Sequence, residues 1–330
     1  MREAHLQSPV FCDEGSFETF INGKIEAMTS GMIFDIKRFS IHDGPGIRST
    51  VFFKGCPLRC AWCHNPESQS FQPELIFRPE RCLACGDCLE ACHHGAPQLT
   101  GGKIHQDWSL CQLEGACVGV CMPGARDMIG REVQAEEVVA ETLRDRVFYE
   151  ESGGGVTFSG GEPLSQPDFL EECLRLCKEA GLHTALDTCG SGPWEDLKRQ
   201  LPFLDLVLYD LKTLDDDLHR QATGVSNQEI LKNFLNLVES GIKIRVRRPV
   251  IPAVNDQESE IDRLGAFLGP LNGKIGIDLL PYHALSADKY LRLGREGDVG
   301  KWEIPSEAVL ARISAQLTEM GFKVNLRGGS

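Results

Sequence analysis

The 330-residue chain contains no apolar run long enough to cross a bilayer, which argues against a membrane-spanning helix. It has no run of Lys and Arg either. Its 34 basic residues stand against 48 acidic ones, a formal net charge of −14, so no arm is available to neutralise a phosphate backbone. This excludes an ordinary nucleic-acid partner. Residues Met1 to Phe11 mix Arg2, Glu3, His5 and Gln7 and lack the apolar stretch of a signal peptide, so the expected location is cytoplasmic. The glycine run Gly153-Gly154-Gly155 does not open a helix as a dinucleotide fingerprint must.

Cysteine is abundant by contrast. The chain has 14, and ten of them fall between Cys56 and Cys121. A reducing compartment makes disulfides improbable, so clustered thiols point to metal. The sharpest group is Cys56, Cys60 and Cys63, spaced C-x3-C-x2-C on one short segment. Three thiolates there can hold three corners of a cubane iron–sulfur cluster. The fourth iron is then left open to bind and activate a small molecule. A zinc site short of a ligand is the bland alternative, but zinc favours C-x2-C pairs and four ligands.

Outside the cysteine-rich stretch, short apolar strands alternate with amphipathic helices, the signature of parallel βαβ units. The expected strands are Ile33–Ile36, Thr50–Phe53, Val156–Phe158, His183–Asp187, Leu206–Asp210, Ile242–Val246 and Ile275–Leu280. Helices are expected over 134–150, with Val138, Val139, Leu143 and Val147 on one face, and over 166–180, 226–240, 257–268 and 306–320. Polar residues recur where strands end: Ser159 to Pro163, Asp187-Thr188, Asp210-Leu211-Lys212, Arg247, and Tyr282-His283. In a β/α barrel that rim is where ligands bind.

These segments resemble the radical S-adenosylmethionine (SAM) superfamily and, more narrowly, its glycyl radical enzyme activating enzymes. The likeness covers about 32–330. It is carried by Ser40 to Arg48, Phe53 to Cys60, Trp62 to Glu67, Ser159 to Pro163, Asp210-Leu211-Lys212 with His219 and Thr223-Gly224, and Leu280 to His283. It implies an α/β fold: a partial, open (β/α)6-type barrel with an inserted ferredoxin-like iron–sulfur domain. The expected divisions are an N-terminal extension (1–30), the first barrel strands and cluster loop (31–78), the insert (79–128) and the rest of the barrel (129–330).

The resemblance also implies a mechanism. The cluster on Cys56, Cys60 and Cys63 reductively cleaves SAM to a 5′-deoxyadenosyl radical. That radical takes hydrogen from a backbone glycine of a partner glycyl radical enzyme of the lyase, dehydratase or decarboxylase type. A low-potential donor such as flavodoxin or ferredoxin supplies the electron. Lys212, Asp187 and Asp210 join the cysteines as expected catalytic residues. Trp62, His64, Gly160, Gly161, Glu162, Asp210, Lys212, Arg247 and His283 are the expected SAM contacts, Glu162 accepting from its amino group. Beside the rim carboxylates Asp187 and Asp210 the resemblance implies a cation, monovalent if present, or a ligand contact. Two alternatives stay open: another radical SAM enzyme acting on a peptide or small molecule, and a ferredoxin-like electron carrier.

Within the insert, Cys82-x2-Cys85-x2-Cys88-x3-Cys92 has the bacterial ferredoxin spacing, in which the fourth cysteine of each run serves the other cluster. The second run is Cys111-x2-Glu114-x2-Cys117-x3-Cys121, with Glu114 where a cysteine belongs. By the crossing rule Cys82, Cys85, Cys88 and Cys121 hold one complete cluster, while Cys92, Cys111 and Cys117 hold a second that lacks one thiolate. An oxygen ligand from Glu114, a three-iron cluster, and a cysteine from elsewhere all remain open, and three clusters in total are expected. Cys173, Cys177 and Cys189 read as packing thiols. His93, His94 and His105 read as solvated. Ala253 and Ser286 stand where the resemblance leads one to expect glycine.

Overall fold

The structure, a computed structural model, describes residues 29–298, 300 and 302–326. Cys12 and most of the expected N-terminal extension lie outside the described residues.

The described strands are β1 (Ser30–Ser40), β2 (Arg48–Phe53), β3 (Glu74–Phe77), β4 (Pro97–Thr100), β5 (Lys103–Gln106), β6 (Arg126–Ile129), β7 (Arg131–Gln134), β8 (Gly155–Gly160), β9 (Thr184–Thr188), β10 (Leu206–Asp210), β11 (Ile244–Val250), β12 (Gly276–Pro281) and β13 (Lys323–Leu326). The helices are α1 (Asp87–Ala91), α2 (Ala116–Gly119), α3 (Ala135–Leu143), α4 (Arg146–Ser152), α5 (Pro167–Glu179), α6 (Trp194–Lys198), α7 (Asp216–Thr223), α8 (Gln228–Ser240), α9 (Glu258–Leu268), α10 (Ala287–Arg292) and α11 (Glu307–Glu319).

Nine strands form one sheet in the order β13-β12-β11-β10-β9-β8-β2-β1-β7. From β2 to β13 every neighbour is parallel, and β1 and β7 add an antiparallel edge. No ladder joins β13 back to β7 among the described residues, so the sheet is open.

Side-chain alternation sorts each parallel strand into two faces. Val51, Phe53, Val156, Phe158, Leu186, Val207, Tyr209, Val246, Ile277 and Leu279 point into the main core. There they meet Phe169, Leu170 and Leu174 of α5, Ile230, Phe234 and Leu237 of α8, Ile261, Leu264 and Leu268 of α9, and Ile313 and Leu317 of α11. Each such side chain contributes about 1.5–3 kcal/mol through burial. The alternate positions Thr50, Thr157, Ser159, Asp187, Asp210, Arg247 and Asp278 are polar and share the opposite face. Cys173 and Cys177 are fully buried in the α5 stripe, as the packing reading expects.

The helix expected over 134–150 is two helices. Asp145, buried between them, receives hydrogen bonds from Arg38 Nε at 2.8 Å and Ser49 Oγ at 2.8 Å, and this anchorage breaks the chain's path. Val147 consequently leaves the buried face and is 67% exposed.

The cysteine-rich segment is closed by antiparallel β3–β6 pairing and holds one hairpin, β4–β5, among its described residues. Its small core draws on Cys88, Ile104, Cys117 and Ala125 together with Leu75 and Phe77 of β3, just ahead of residue 79.

Candidate active site and cysteine-rich insert

The polar face of the sheet opens on a cavity of about 780 Å3. Cys56, Cys60, Cys63, Trp62, His64, Gly160, Gly161, Asp187, Asp210, Lys212, Arg247 and His283 all line it. Loops after β2 and β12 and the ends of β8 to β11 therefore converge. Asp187, Asp210 and Arg247 lie within their strands, reaching the cavity through the two-residue period.

The cysteine loop is held from several sides by its backbone. Gly55 N donates to Ser68 O at 2.7 Å, Arg59 N to Thr223 O at 2.7 Å and Ala61 N to Ala222 O at 2.9 Å. The end of β8 is stitched to it as well: Gly161 N donates to Phe53 O and Glu162 N to Gly55 O, both at 2.8 Å. A Cβ on Gly161 would lie 2.2 Å from Gly55 O, and one on Gly160 would lie 2.4 Å from Phe53 N. These glycines thus let strand and loop approach, backbone on backbone.

The rest of the chain clamps the far side of the loop. Trp302 Nε1 donates to Ala61 O at 3.1 Å, and Lys289 Nζ to Asn65 Oδ1 at 2.9 Å. His64 and His283 stack with ring centroids 4.0 Å apart. Burial, with His283 beside it, pulls His64 down to about 4, so the ring is neutral at physiological pH. Its buried Nε2 has no hydrogen-bond partner among the described residues.

Charges are paired across the floor. Arg247 meets Asp187 at 2.8 Å, and Asp43 lies 3.8 Å from the same nitrogen. Ser159 Oγ donates to Asp187 at 2.6 Å. Burial raises the Asp187 carboxyl, against the pull of Arg247. Lys212 Nζ sits 2.9 Å from Asp210 Oδ2. Burial opposes the lysine's charge, but Asp210 holds it firmly protonated. Burial likewise pushes the free thiols up, Cys63 to about 12.

Glu162 is the expected contact that does not line the cavity. Its carboxylate is fully buried and accepts from Leu164 N at 3.1 Å, Thr188 Oγ1 at 2.6 Å, and Cys189 N and Sγ at 2.8 and 2.9 Å. It caps the turn at Pro163 and fixes Cys189, which does line the cavity. The Gly-Gly-Glu segment alone carries no sign of this; the Thr188-Cys189 pair at the end of β9 was the available signal.

In the insert the thiols separate into two small cavities. Cys82, Cys85, Cys88 and Cys121 line one; Cys92, Cys111 and Cys117 line the other, together with Glu114 and His94. Among the described residues no three His, Cys, Asp or Glu side chains converge closely enough for a single metal ion. Thiolates that each bind a different iron of one cluster stand further apart than that.

A sheet of this topology with three thiols at its mouth defines a class of enzyme, and comparison with known proteins agrees. Residues 50–264 match the family model described as the Radical SAM superfamily. The chain is 44% identical over 288 residues to the isethionate sulfite-lyase activating enzyme of Nitratidesulfovibrio vulgaris, covering 85% of this chain and 93% of that one. It is 42% identical over 300 residues to the trans-4-hydroxy-L-proline dehydratase activating enzyme of Clostridioides difficile, covering 90% and 99%. The crystal structure of Streptococcus suis SuiB bound to precursor peptide SuiA shares the fold, with a TM-score of 0.50 and 16% identity over 86% of this chain and 50% of that one. The chain belongs to the radical SAM superfamily and, within it, to the glycyl radical enzyme activating enzymes. SAM and a 4Fe–4S cluster come with that membership. Among the described residues no helix is long and apolar enough to cross a membrane.

Proposed function

We propose that the chain generates a radical from SAM in the 780 Å3 cavity and uses it to take hydrogen from a backbone glycine of a partner enzyme. One observation supports this most: three thiols of one loop share that cavity with a paired set of carboxylates and cations. The donor set fits the cofactors. Cys56, Cys60 and Cys63 would hold three irons and leave one open to the amino and carboxylate groups of SAM. When bound, the reduced cluster supplies one electron that breaks the bond from sulfur to the 5′ carbon of SAM, giving methionine and the 5′-deoxyadenosyl radical.

The chain's own residues do the positioning, which is where much of the rate comes from. Lys212, held by Asp210, would meet the SAM carboxylate. Trp62, His64 and the stacked His283 form one wall, and the orphaned His64 Nε2 offers a polar contact there. Gly160 and Gly161 hold β8 against the cluster loop. Arg247, Asp187 and Asp210 keep the floor's charge balanced, and the two carboxylates suit a monovalent cation. Glu162 acts through Thr188 and Cys189.

The cysteine-rich segment is read as a ferredoxin-like insert with two clusters, bounded near 79–128, between barrel segments 31–78 and 129–330. Its grouping of thiols is the pairing that the crossing rule expects. It would relay electrons from a low-potential donor such as flavodoxin or ferredoxin. The partner is read as a glycyl radical enzyme of the lyase, dehydratase or decarboxylase type.

The test is direct. Anaerobically reconstituted, reduced protein should release 5′-deoxyadenosine from SAM, and Cys56→Ala should not. Incubated with its partner, it should produce a glycyl radical signal by electron paramagnetic resonance. A properly reconstituted sample that cleaves no SAM, with candidate partners present, sinks the reading.

A further inference from the structure

The two halves of the insert are a structural repeat offset by 29 residues, from Cys82 to Cys111. Cys85 corresponds to Glu114, Cys88 to Cys117 and Cys92 to Cys121. The backbone repeats as well. Ala84 and Leu113 both adopt left-handed conformations, φ 54° and 59°, rare for residues with a side chain. Gly86 and Gly115 follow at φ 94° and 78°, and Gly95 and Gly124 share φ 66° and 64°. Short helices α1 and α2 occupy the same place in each half. Ala96 and Ala125 are equally buried.

The repeat thus puts Glu114 on the backbone position that Cys85 holds in the complete half. Both are exposed, so position and exposure match. A second departure accompanies the first. Cys121-Met122-Pro123-Gly124 in one half corresponds to Cys92-His93-His94-Gly95 in the other, so His94 replaces a proline. The two departures touch: His94 Nε2 lies 2.9 Å from Glu114 Oε1. Both line the cavity of Cys92, Cys111 and Cys117. As a surface pair they are 38% and 52% exposed, and such a pair stabilises a fold very little. Stability therefore does not account for the coincidence.

We propose that Glu114 is the fourth ligand of the second insert cluster, binding its iron through a carboxylate oxygen, with His94 as the positioning residue that donates to the other oxygen. The proposal rests on the two-cluster reading of the insert. It corrects the expectation that His94 is merely solvated. A carboxylate carries the same charge as the thiolate it replaces, so the net charge of the site is kept. Oxygen is a harder donor than sulfur, and this iron is the one nearest solvent, so it is the labile one. No other described cysteine competes. Cys173 and Cys177 lie in the main core and Cys189 on the main cavity. Cys12 lies outside the described residues and is tested directly.

The experiment uses the full chain carrying Cys56→Ala, Cys60→Ala and Cys63→Ala, so that the insert holds the one remaining three-thiolate site. After anaerobic reconstitution, iron per chain and the paramagnetic signal of an oxidised three-iron cluster are measured before and after mild ferricyanide. An oxidised four-iron cluster is silent. The proposal expects about eight irons and no signal until ferricyanide is added. Glu114→Ala should hold about seven irons and show the signal at once. Glu114→Cys should hold about eight and resist the oxidant. His94→Ala should lose its iron faster, with His94→Gln partly restoring it. Equal iron and equal signal with and without Glu114, or loss of iron on Cys12→Ala instead, overturns the proposal. About four irons overturns the two-cluster reading beneath it.

Discussion

Arg248 is an entirely buried guanidinium with a structural task. It donates to Lys212 O at 2.7 Å and to Leu211 O and Asn255 O at 3.2 Å, and faces Glu260 at 3.4 Å. It thus fixes the backbone that carries Lys212. Arg248→Leu takes the guanidinium from the Leu211 and Asn255 carbonyls and the buried cation from Glu260, which keeps Thr213 and the half-exposed Arg263, while Lys212 O keeps Asn255 Nδ2. A loss of about 3–5 kcal/mol is expected in anaerobic denaturant unfolding, together with weakened SAM binding. The strand ends were legible in the sequence here, but Arg245, Arg247 and Arg248 crowd one strand. Only the two-residue alternation in three dimensions assigns Arg247 to the cavity and Arg248 to the far side. Ala253 is a second case. The resemblance leads one to expect glycine, and the turn survives without it at φ 63°, costing about 1–2 kcal/mol. His183 gives a pH test. Burial, then the charge of Arg48 at 3.3 Å from Nδ1, holds the ring below its ordinary value of 6.5. The unfolded chain takes up this proton near pH 6.5 and the folded chain resists. Stability from this group is therefore complete above that pH and declines as pH falls below it. In His183→Gln the drop in unfolding free energy between pH 7 and pH 5 should be smaller. An unchanged drop would remove His183 from the account.

At the scale of elements, the strands were readable because β-branched runs between helical stretches leave few alternatives. The break at Asp145 was not, since the periodicity of Val138, Val139, Leu143 and Val147 is continuous and its cause, Arg38, is remote in sequence. Strands β7 and β13 were missed for a similar reason: four-residue segments gain their stability from the neighbour they pair with, not from their own pattern. The loop after β2 was read correctly as the bearer of the three thiols, but not what holds it. The Gly160-Gly161 pair, expected as SAM contacts, lines the cavity, and it also lets β8 meet the cysteine loop. Gly161→Ala places a methyl 2.2 Å from Gly55 O, where backbone has nowhere to yield. The strain should cost about 1–3 kcal/mol and displace the loop. A shift of even 1 Å at a reacting centre can reduce rate on the order of a hundredfold, so SAM cleavage should fall that steeply. Gly269→Ala, with open space around its Cβ, serves as the control and should leave turnover unchanged.

The molecule as a whole couples a large apolar core to a small one that cannot stand alone. The main core runs the width of the nine-stranded sheet, while the packed cluster of the insert is Leu75, Phe77, Ile104 and Ala125 besides two cysteines, with Ile76 and Ala96 buried nearby. A core of that size falls short of the chain entropy of the roughly fifty residues it would have to order. On the two-cluster reading proposed above, metal supplies the difference, so cluster and fold would be linked in the insert and much less so in the barrel. Stripping iron with a chelator under reducing conditions should therefore unfold the two parts unequally. Limited proteolysis is expected to cut between residues 79 and 128 soon after the metal leaves. Backbone amides of β8 to β12 should keep their protection against hydrogen exchange. Restoring iron and sulfide anaerobically should reverse the cleavage sensitivity, provided the chain has not yet been cut. If the stripped insert stayed resistant, its small core would be sufficient and the linkage argument would fail. If β8 to β12 lost protection together with the insert, the two cores would be one cooperative unit, and the barrel too would depend on its metals.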